Sequence, residues 1–248
     1  MAGLDARQAR HPDPSGPRRD LSCNQCFGAC RYQHDRSTWP TCWECGHIYG
    51  DVIDTFVPIT YSVDGGLESM LHQYKDGGTQ WLRRPLASLL TAFVCEHADC
   101  IEQDARGIDL ATTVPSDNQS RSFNHLDRLL RGAIQGDPII NRFRWQTDAV
   151  VRDSTTTRPR RRELKPSAYR VDNYSVDGAS VLLLDDTWTS GSSAASTAAA
   201  LKDAGALRVT VLTLGRQLNQ DRHFGSTDAI YDDCHSQEWT PDGCVLCA

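Results

Sequence analysis

The alternation of apolar and polar positions along this chain predicts strands and helices in turn. Phe56-Val57-Pro58-Ile59-Thr60-Tyr61 reads as a short strand. After Gly65-Gly66, Leu67, Met70, Leu71 and Tyr74 recur at the spacing of one helix face, and Asp76-Gly77-Gly78 closes that helix. A second helix is expected from about Gln80 to Cys95 through Leu82, Leu86, Leu89, Leu90 and Phe93. Ile108–Val114 is a strand candidate, Phe123, Leu126, Leu129 and Leu130 mark a helix, and Ala149-Val150-Val151 is a short strand. Val181–Leu184 is continuously apolar, as in a strand buried on both faces. An Ala-rich helix, Ser192–Ala204, ends at Gly205, and Val209–Leu214 makes the next strand. Strand, helix and strand at this pitch predict βαβ units, hence an α/β fold around a parallel sheet.

Outside that body the pattern changes. Residues 1–20 have Pro, Gly and Arg but no periodicity and read as a disordered arm. Residues 21–50 are too small and polar to build a core, yet hold five of the chain's ten cysteines. Residues 51–225 form the α/β body, and residues 226–248 a cysteine-containing tail. Within the body, residues 152–168 are polar and basic without a burial period.

Charge and cysteine usage narrow the classes. A formal charge of −6 disfavours non-specific coating of nucleic acid, so any such contact needs a local basic patch. The longest apolar stretch, Pro85–Cys95, falls short of the roughly 20 residues of a membrane span. Residues 1–20 lack the apolar centre of a secretory signal, so the expected compartment is the cytoplasm, where thiols stay reduced. Cys23-x-x-Cys26 and Cys42-x-x-Cys45, with fifteen residues between the pairs, have the spacing of a zinc ribbon. Cys30 is then a spare, buried thiol. Cys244 and Cys247 form a terminal half site for a second Zn²⁺. Cys234 is the expected third ligand, with one group recruited from Cys95, Cys100 or a distant histidine. A frayed tail with free thiols is the alternative. His72 and His125 lie on or near apolar helix faces and read as core histidines.

Chemistry concentrates in one segment, Val181-Leu182-Leu183-Leu184-Asp185-Asp186-Thr187-Trp188-Thr189-Ser190-Gly191-Ser192-Ser193. A buried strand runs into two adjacent carboxylates, and a hydroxyl-rich loop then opens a helix. Parallel α/β sheets bind ligands at the carboxyl ends of their strands, and a helix N-terminus favours a phosphate. Carboxylates accept hydrogen bonds from ribose hydroxyls. The plainer reading is a polar-capped helix start after a core strand.

The segment resembles the phosphoribosyl pyrophosphate (PRPP) signature of type I phosphoribosyltransferases, an apolar strand followed by Asp-Asp and a Thr/Ser-Gly-rich loop. Val114-Pro115, then Arg121-Ser122-Phe123-Asn124 and a leucine-bearing helix, is similar to a pattern of the ComF (late-competence) family. So is Tyr61–Leu67 followed by Tyr74-Lys75. Ser122 stands where the family has glycine, Asp117 where it has a second proline, and Trp188 where a small or aliphatic residue is common. The resemblance implies a type I phosphoribosyltransferase fold behind an N-terminal zinc ribbon. It implies transfer of ribose 5-phosphate from PRPP to an acceptor, with Mg²⁺ and release of pyrophosphate. It gives Asp185 and Asp186 to the ribose, with Thr187, Thr189, Ser190, Gly191, Ser192 and Ser193 around the 5′-phosphate. Pro115, Ser116 and Arg121 fall on the pyrophosphate side. Residues 152–168 become a lid whose Arg158, Arg160, Arg161, Arg162 and Lys165 meet the pyrophosphate charge, where the plainer alternatives are a solvated loop or a nucleic-acid patch. The acceptor pocket would lie partly near Leu214-Gly215-Arg216, and Trp188 would shield or narrow the ligand pocket. PRPP or a ribose 5-phosphate is the expected partner, nucleic acid a less favoured one and a homodimer an open expectation. The rival class is a non-enzymatic adaptor or regulator that handles DNA or a protein.

Overall fold

A computed structural model describes residues 19–62, 66–76, 79–116, 124–172, 176–218, 224–236 and 238–247. Four strands, β1 (Thr55–Ser62), β2 (Leu110–Thr113), β5 (Ser180–Trp188) and β6 (Arg208–Gln217), form one parallel sheet in the order β1-β6-β5-β2. β3 (Val150–Arg152) and β4 (Tyr169–Val171) pair antiparallel as a separate ribbon, with the basic segment between them. The helices are α1 (Leu67–Lys75), α2 (Arg83–Ala105), α3 (His125–Gly136), α4 (Ser192–Asp203) and α5 (Thr227–Ser236). The chain is therefore mixed α/β with a parallel four-stranded sheet.

Both faces of the sheet are covered, and the strands show it residue by residue. Val57, Ile59, Leu182, Leu184, Leu212 and Leu214 pack with α1, α2 and α3. Their neighbours Phe56, Val181, Leu183, Val209 and Val211 pack with α4, the β3–β4 ribbon and the cysteine-rich segment. Successive side chains of a strand point to opposite faces, so double coverage produces the unbroken apolar run read from the sequence. α4 succeeds as an Ala-rich helix because small side chains let it lie close to the sheet, with Ala194, Ala195 and Ala198 buried.

Three elements differ from the expectation. α2 continues to Ala105, because Ala98, Ile101 and Ala105 keep a buried stripe that small and polar neighbours hide. It ends at Arg106, held in the left-handed conformation at φ 58. Tyr169–Val171 is a strand, and the first half of the expected tail is helix α5. Among the described residues, no helix is long and apolar enough to cross a membrane.

β5 also outruns its expected end. It pairs with β2 only through Leu184, but with β6 as far as Trp188↔Arg216. Beyond Leu184 one side of β5 is thus open, and both aspartates sit on that stretch.

Central-strand packing gives a direct test. Leu183 is fully buried in β5, whereas Leu207 is 67% exposed. Leu183→Ala is expected to cost about 2–5 kcal/mol in urea unfolding, and Leu207→Ala less than about 0.5 kcal/mol.

Candidate functional site

The open end of β5 borders a cavity of about 600 Å³. Its floor is Asp185, Asp186 and Thr187, and one wall is the loop Thr189-Ser190-Gly191 with Ser192 and Ser193. The facing wall is Val114, Pro115 and Ser116 after β2, with Lys75, His125 and Arg158 completing the rim. Arg121 and Asp117 lie outside the described residues. Of the sixteen ligand residues singled out in the sequence, fifteen are described, and eleven of those border this cavity.

Arg162 and Lys165 point elsewhere. Arg162 Nε pairs with Glu44 at 2.6 Å, and Lys165 Nζ donates to Thr157 Oγ1 at 2.6 Å. Their backbones do meet the helix start: Arg162 N donates to Ser192 Oγ at 2.8 Å and Lys165 N to Ser196 Oγ at 2.9 Å. One leg of the basic segment is thereby tied to α4, while Arg158 reaches the cavity.

Asp185 and Asp186 are buried side by side, and that arrangement drives their titration apart. For Asp185, burial and the neighbouring Asp186 charge push the carboxyl well above its ordinary range. For Asp186, burial acts in the same direction, but Lys75 and His125 overcome it and hold the carboxyl below that range. Lys75 Nζ pairs with Asp186 Oδ2, and His125 Nε2 lies 2.6 Å from the same oxygen. His125 was expected to be a core histidine, and it is buried, but its ring serves the site. Lys75 follows Leu67 and Leu71 at i+4 steps on the buried face of α1, a lysine where an apolar residue belongs. That placement is the signal that marks it. Tyr74 Oη donates to the His125 carbonyl at 3.0 Å, fixing the start of α3.

Gly191 holds φ 79, and a Cβ there would lie 2.1 Å from the Trp188 ring. The glycine serves both the left-handed turn and the indole beneath it. Trp188 neither shields nor narrows the aspartate cavity. It is buried under the loop, against Phe56 at a ring-centroid distance of 4.7 Å and Tyr49 at 6.0 Å.

Cys23, Cys26, Cys42 and Cys45 place their sulfurs within 4.8 Å of one another, a set that could hold a structural metal such as zinc. Cys26 and Cys42 are 3.8 Å apart, near the roughly 3.8 Å that tetrahedral Zn–S bonds of about 2.3 Å impose. This ribbon-like unit is fastened to the loop. Tyr49, in the turn that follows Cys45, bonds the Ser190 carbonyl and lies 3.2 Å from Ser192 Oγ. Burial pushes its hydroxyl up to about 12, so it stays a donor at neutral pH. Arg216 is buried and reaches both sides: Nε donates to the Cys26 carbonyl at 2.8 Å and Nη1 to the Trp188 carbonyl at 3.1 Å. A Cβ on Gly28 would collide with that guanidinium at 1.9 Å. Arg216, expected near an acceptor pocket, is a clamp between ribbon and loop. Cys30 is buried and its amide bonds Ser226 Oγ at 3.0 Å, a packing role.

The second expected ligand set needs correction. Cys244 and Cys247 gather with His97 and Cys100 of α2, a group that could also hold a metal. Cys234 is not among them. Helix α5 turns it inward to pack with Tyr61, Leu218 and Ile230. Cys95 lies on another face of α2, with its sulfur 3.7 Å from Asp137 Oδ2.

No protein-family model matches this chain, and no curated protein sequence matches it.

The opposed shifts of the two aspartates predict opposed effects on stability. Asp186, depressed in the folded state, stabilises the fold above the unfolded carboxylate value of about 3.9, and that gain is lost as pH falls. Asp185, raised in the folded state, opposes folding as pH climbs past the same value. At pH 7, Asp186→Asn is expected to cost about 3–5 kcal/mol, since it leaves Lys75 and His125 without their carboxylate. Asp185→Asn is expected to be neutral or stabilising. Urea unfolding of both variants at pH 7 checks this, and equal losses would contradict the assignment.

Proposed function

We propose that the chain binds PRPP at the end of β5 and transfers its ribose 5-phosphate to an acceptor, as a ComF-like type I phosphoribosyltransferase. The observation that carries this reading is the juxtaposition, around one cavity, of two buried carboxylates and the glycine-hinged start of α4. Ribose hydroxyls suit the carboxylates, since an ionised carboxylate only accepts. A 5′-phosphate suits the first turn of α4, which borders the cavity and presents the positive end of the helix dipole. The hydroxyls of Ser190 and Ser192, 3.1 Å apart, stand at the same turn. Pro115 and Ser116 then face the pyrophosphate, and Arg158 brings a positive charge to that rim.

Mg²⁺ fits the donor set. Asp186 already has Lys75 and His125 against it, whereas burial and the Asp186 charge make ionising Asp185 costly, so a cation near Asp185 relieves it. Asp185 would help hold the ion. When bound, Mg²⁺ neutralises the departing pyrophosphate. The rest falls to the chain itself. Lys75 and His125 keep Asp186 ionised so that it orients the sugar, the loop fixes the 5′ end, and the basic segment limits water. Zinc in the Cys23/Cys26/Cys42/Cys45 set would hold the ribbon against that loop.

One observation favours the adaptor reading. Tyr32, Trp39 and Trp43 expose 47%, 55% and 55% of their surface on the ribbon. Exposed rings beside arginines suit the stacking of single-stranded bases.

Calorimetry separates the two. Saturable, Mg²⁺-dependent PRPP binding is expected, and the Asp185→Asn, Asp186→Asn double variant is expected to lose it while keeping its circular dichroism spectrum. Wild-type binding in that variant would sink the PRPP assignment. Salt-sensitive binding of single-stranded DNA without PRPP binding would replace it with the adaptor.

A further inference from the structure

We propose that His97, Cys100, Cys244 and Cys247 form a second, S₃N zinc site, which staples residues 238–247 across α2 and beside strand β1. It is independent of the PRPP reading, because none of its residues borders the aspartate cavity.

The distances are those of a tetrahedral ion. Zn–S bonds of about 2.3 Å and Zn–N bonds of about 2.0–2.1 Å set ligand separations near 3.8 Å for S···S and 3.5 Å for S···N. Cys100 and Cys244 sulfurs are 3.7 Å apart, and Cys247 Sγ lies 3.4 Å from His97 Nδ1. All four ligand atoms fall within 4.8 Å of one another. A disulfide between Cys100 and Cys244 would need about 2.05 Å.

The histidine's proton is already placed. His97 Nε2 lies 2.7 Å from the Pro241 carbonyl, and a carbonyl can only accept. Nε2 therefore carries the hydrogen and Nδ1 turns its lone pair toward the three sulfurs. Zinc-bound histidines are oriented in this way, by an outer hydrogen bond on the nitrogen that does not ligate. Here the outer acceptor comes from the same tail that supplies Cys244 and Cys247.

Local geometry agrees. Cys247 N donates to the Cys244 carbonyl at 3.3 Å and Leu246 N to Cys244 Sγ at 3.4 Å. The ribbon's first pair shows a matching contact, Cys26 N to Cys23 Sγ at 3.5 Å. His97 and Cys100, at i and i+3, share one face of α2. Cys244 and His97 are 1% and 4% exposed, so the inner half of the ligand set is shielded from water.

The site has a mechanical consequence. β1 is an edge strand, and an unpaired edge invites pairing with another chain. Trp239 Nε1 donates to the Ile59 carbonyl at 3.2 Å, and Val245 is buried in the core of the sheet. Residues 238–247 contain no helix or strand, so the metal replaces secondary structure in fixing the tail over that edge.

The test is metal analysis of the full chain purified under reducing conditions. About two zinc equivalents per chain are expected, and Cys244→Ser with Cys247→Ser is expected to halve the content. Cys234→Ser is expected to leave it unchanged. Should the double variant misfold, His97→Cys supplies a second readout. It is expected to retain zinc and, in the cobalt-substituted protein, to shift the ligand-field bands to those of an all-thiolate site. One equivalent in the wild type would overturn the proposal. So would a zinc content that the double variant leaves intact, or a Cys100–Cys244 disulfide by mass.

Discussion

Two adjacent carboxylates taken out of water at the end of the central strand dictate much of what surrounds them. Neither can be buried ionised without a partner, and both cannot share one. Lys75 from α1 and His125 from α3 converge on Asp186, so the two helices on one face of the sheet are held at a common point. Asp185 is left as the carboxyl whose ionisation is costly, beside a cavity rather than in the core. The open side of β5 beyond Leu184 makes this arrangement reachable by a ligand, because β2 ends where the aspartates begin.

The opposite face depends on a second convergence. Trp188 follows the aspartates in β5 and lies beneath Gly191, so the strand that carries the carboxylates also sets the floor of the loop. Phe56 and Tyr49 brace that indole, and Tyr49 and Arg216 carry the contact onward into the cysteine-rich segment. A metal in the Cys23/Cys26/Cys42/Cys45 set would therefore act on the loop through two side chains, Tyr49 and Arg216, rather than at a distance. Positional precision in a binding loop comes from such support, since the loop itself has little to pack against.

Local signals were legible in the sequence and distant ones were not. The apolar run into Asp185-Asp186 and the spaced CxxC pairs are each written within a few residues, and the structure assembles each as read. The second half of α2 was missed because its buried face is made of His97, Ala98, Ile101 and Ala105, in which Ile101 is the single large apolar side chain. Lys75 and His125 escaped because their partner lies far along the chain, although a lysine on the stripe Leu67–Leu71 is visible in retrospect. Cys234 was misassigned through nearness in sequence to Cys244, whereas helix α5 aims it at Tyr61. His97 and Cys100 carry a usable sign, a histidine and a cysteine one helical turn apart in a chain that also offers an unpaired CxxC.

The two cysteine sets bear on one strand. A cavity beside β1 is lined by Phe27 and Cys26 of the ribbon on one side and by Val245 and Leu246 of the tail on the other, with Phe56 between. Segments from both ends of the described chain thus meet at the edge of a sheet only four strands wide. Neither segment has enough apolar surface to fold alone, and each is short of regular structure. One metal-sized set closes the ribbon on itself and the other ties the tail to α2, so both segments cover that edge without adding strands. The ribbon then faces the first turn of α4, while the tail faces α2, so loss of the C-terminal set would loosen the edge strand and leave the aspartate cavity in place. Loss of the N-terminal set would reach the loop directly, through Tyr49 and Arg216.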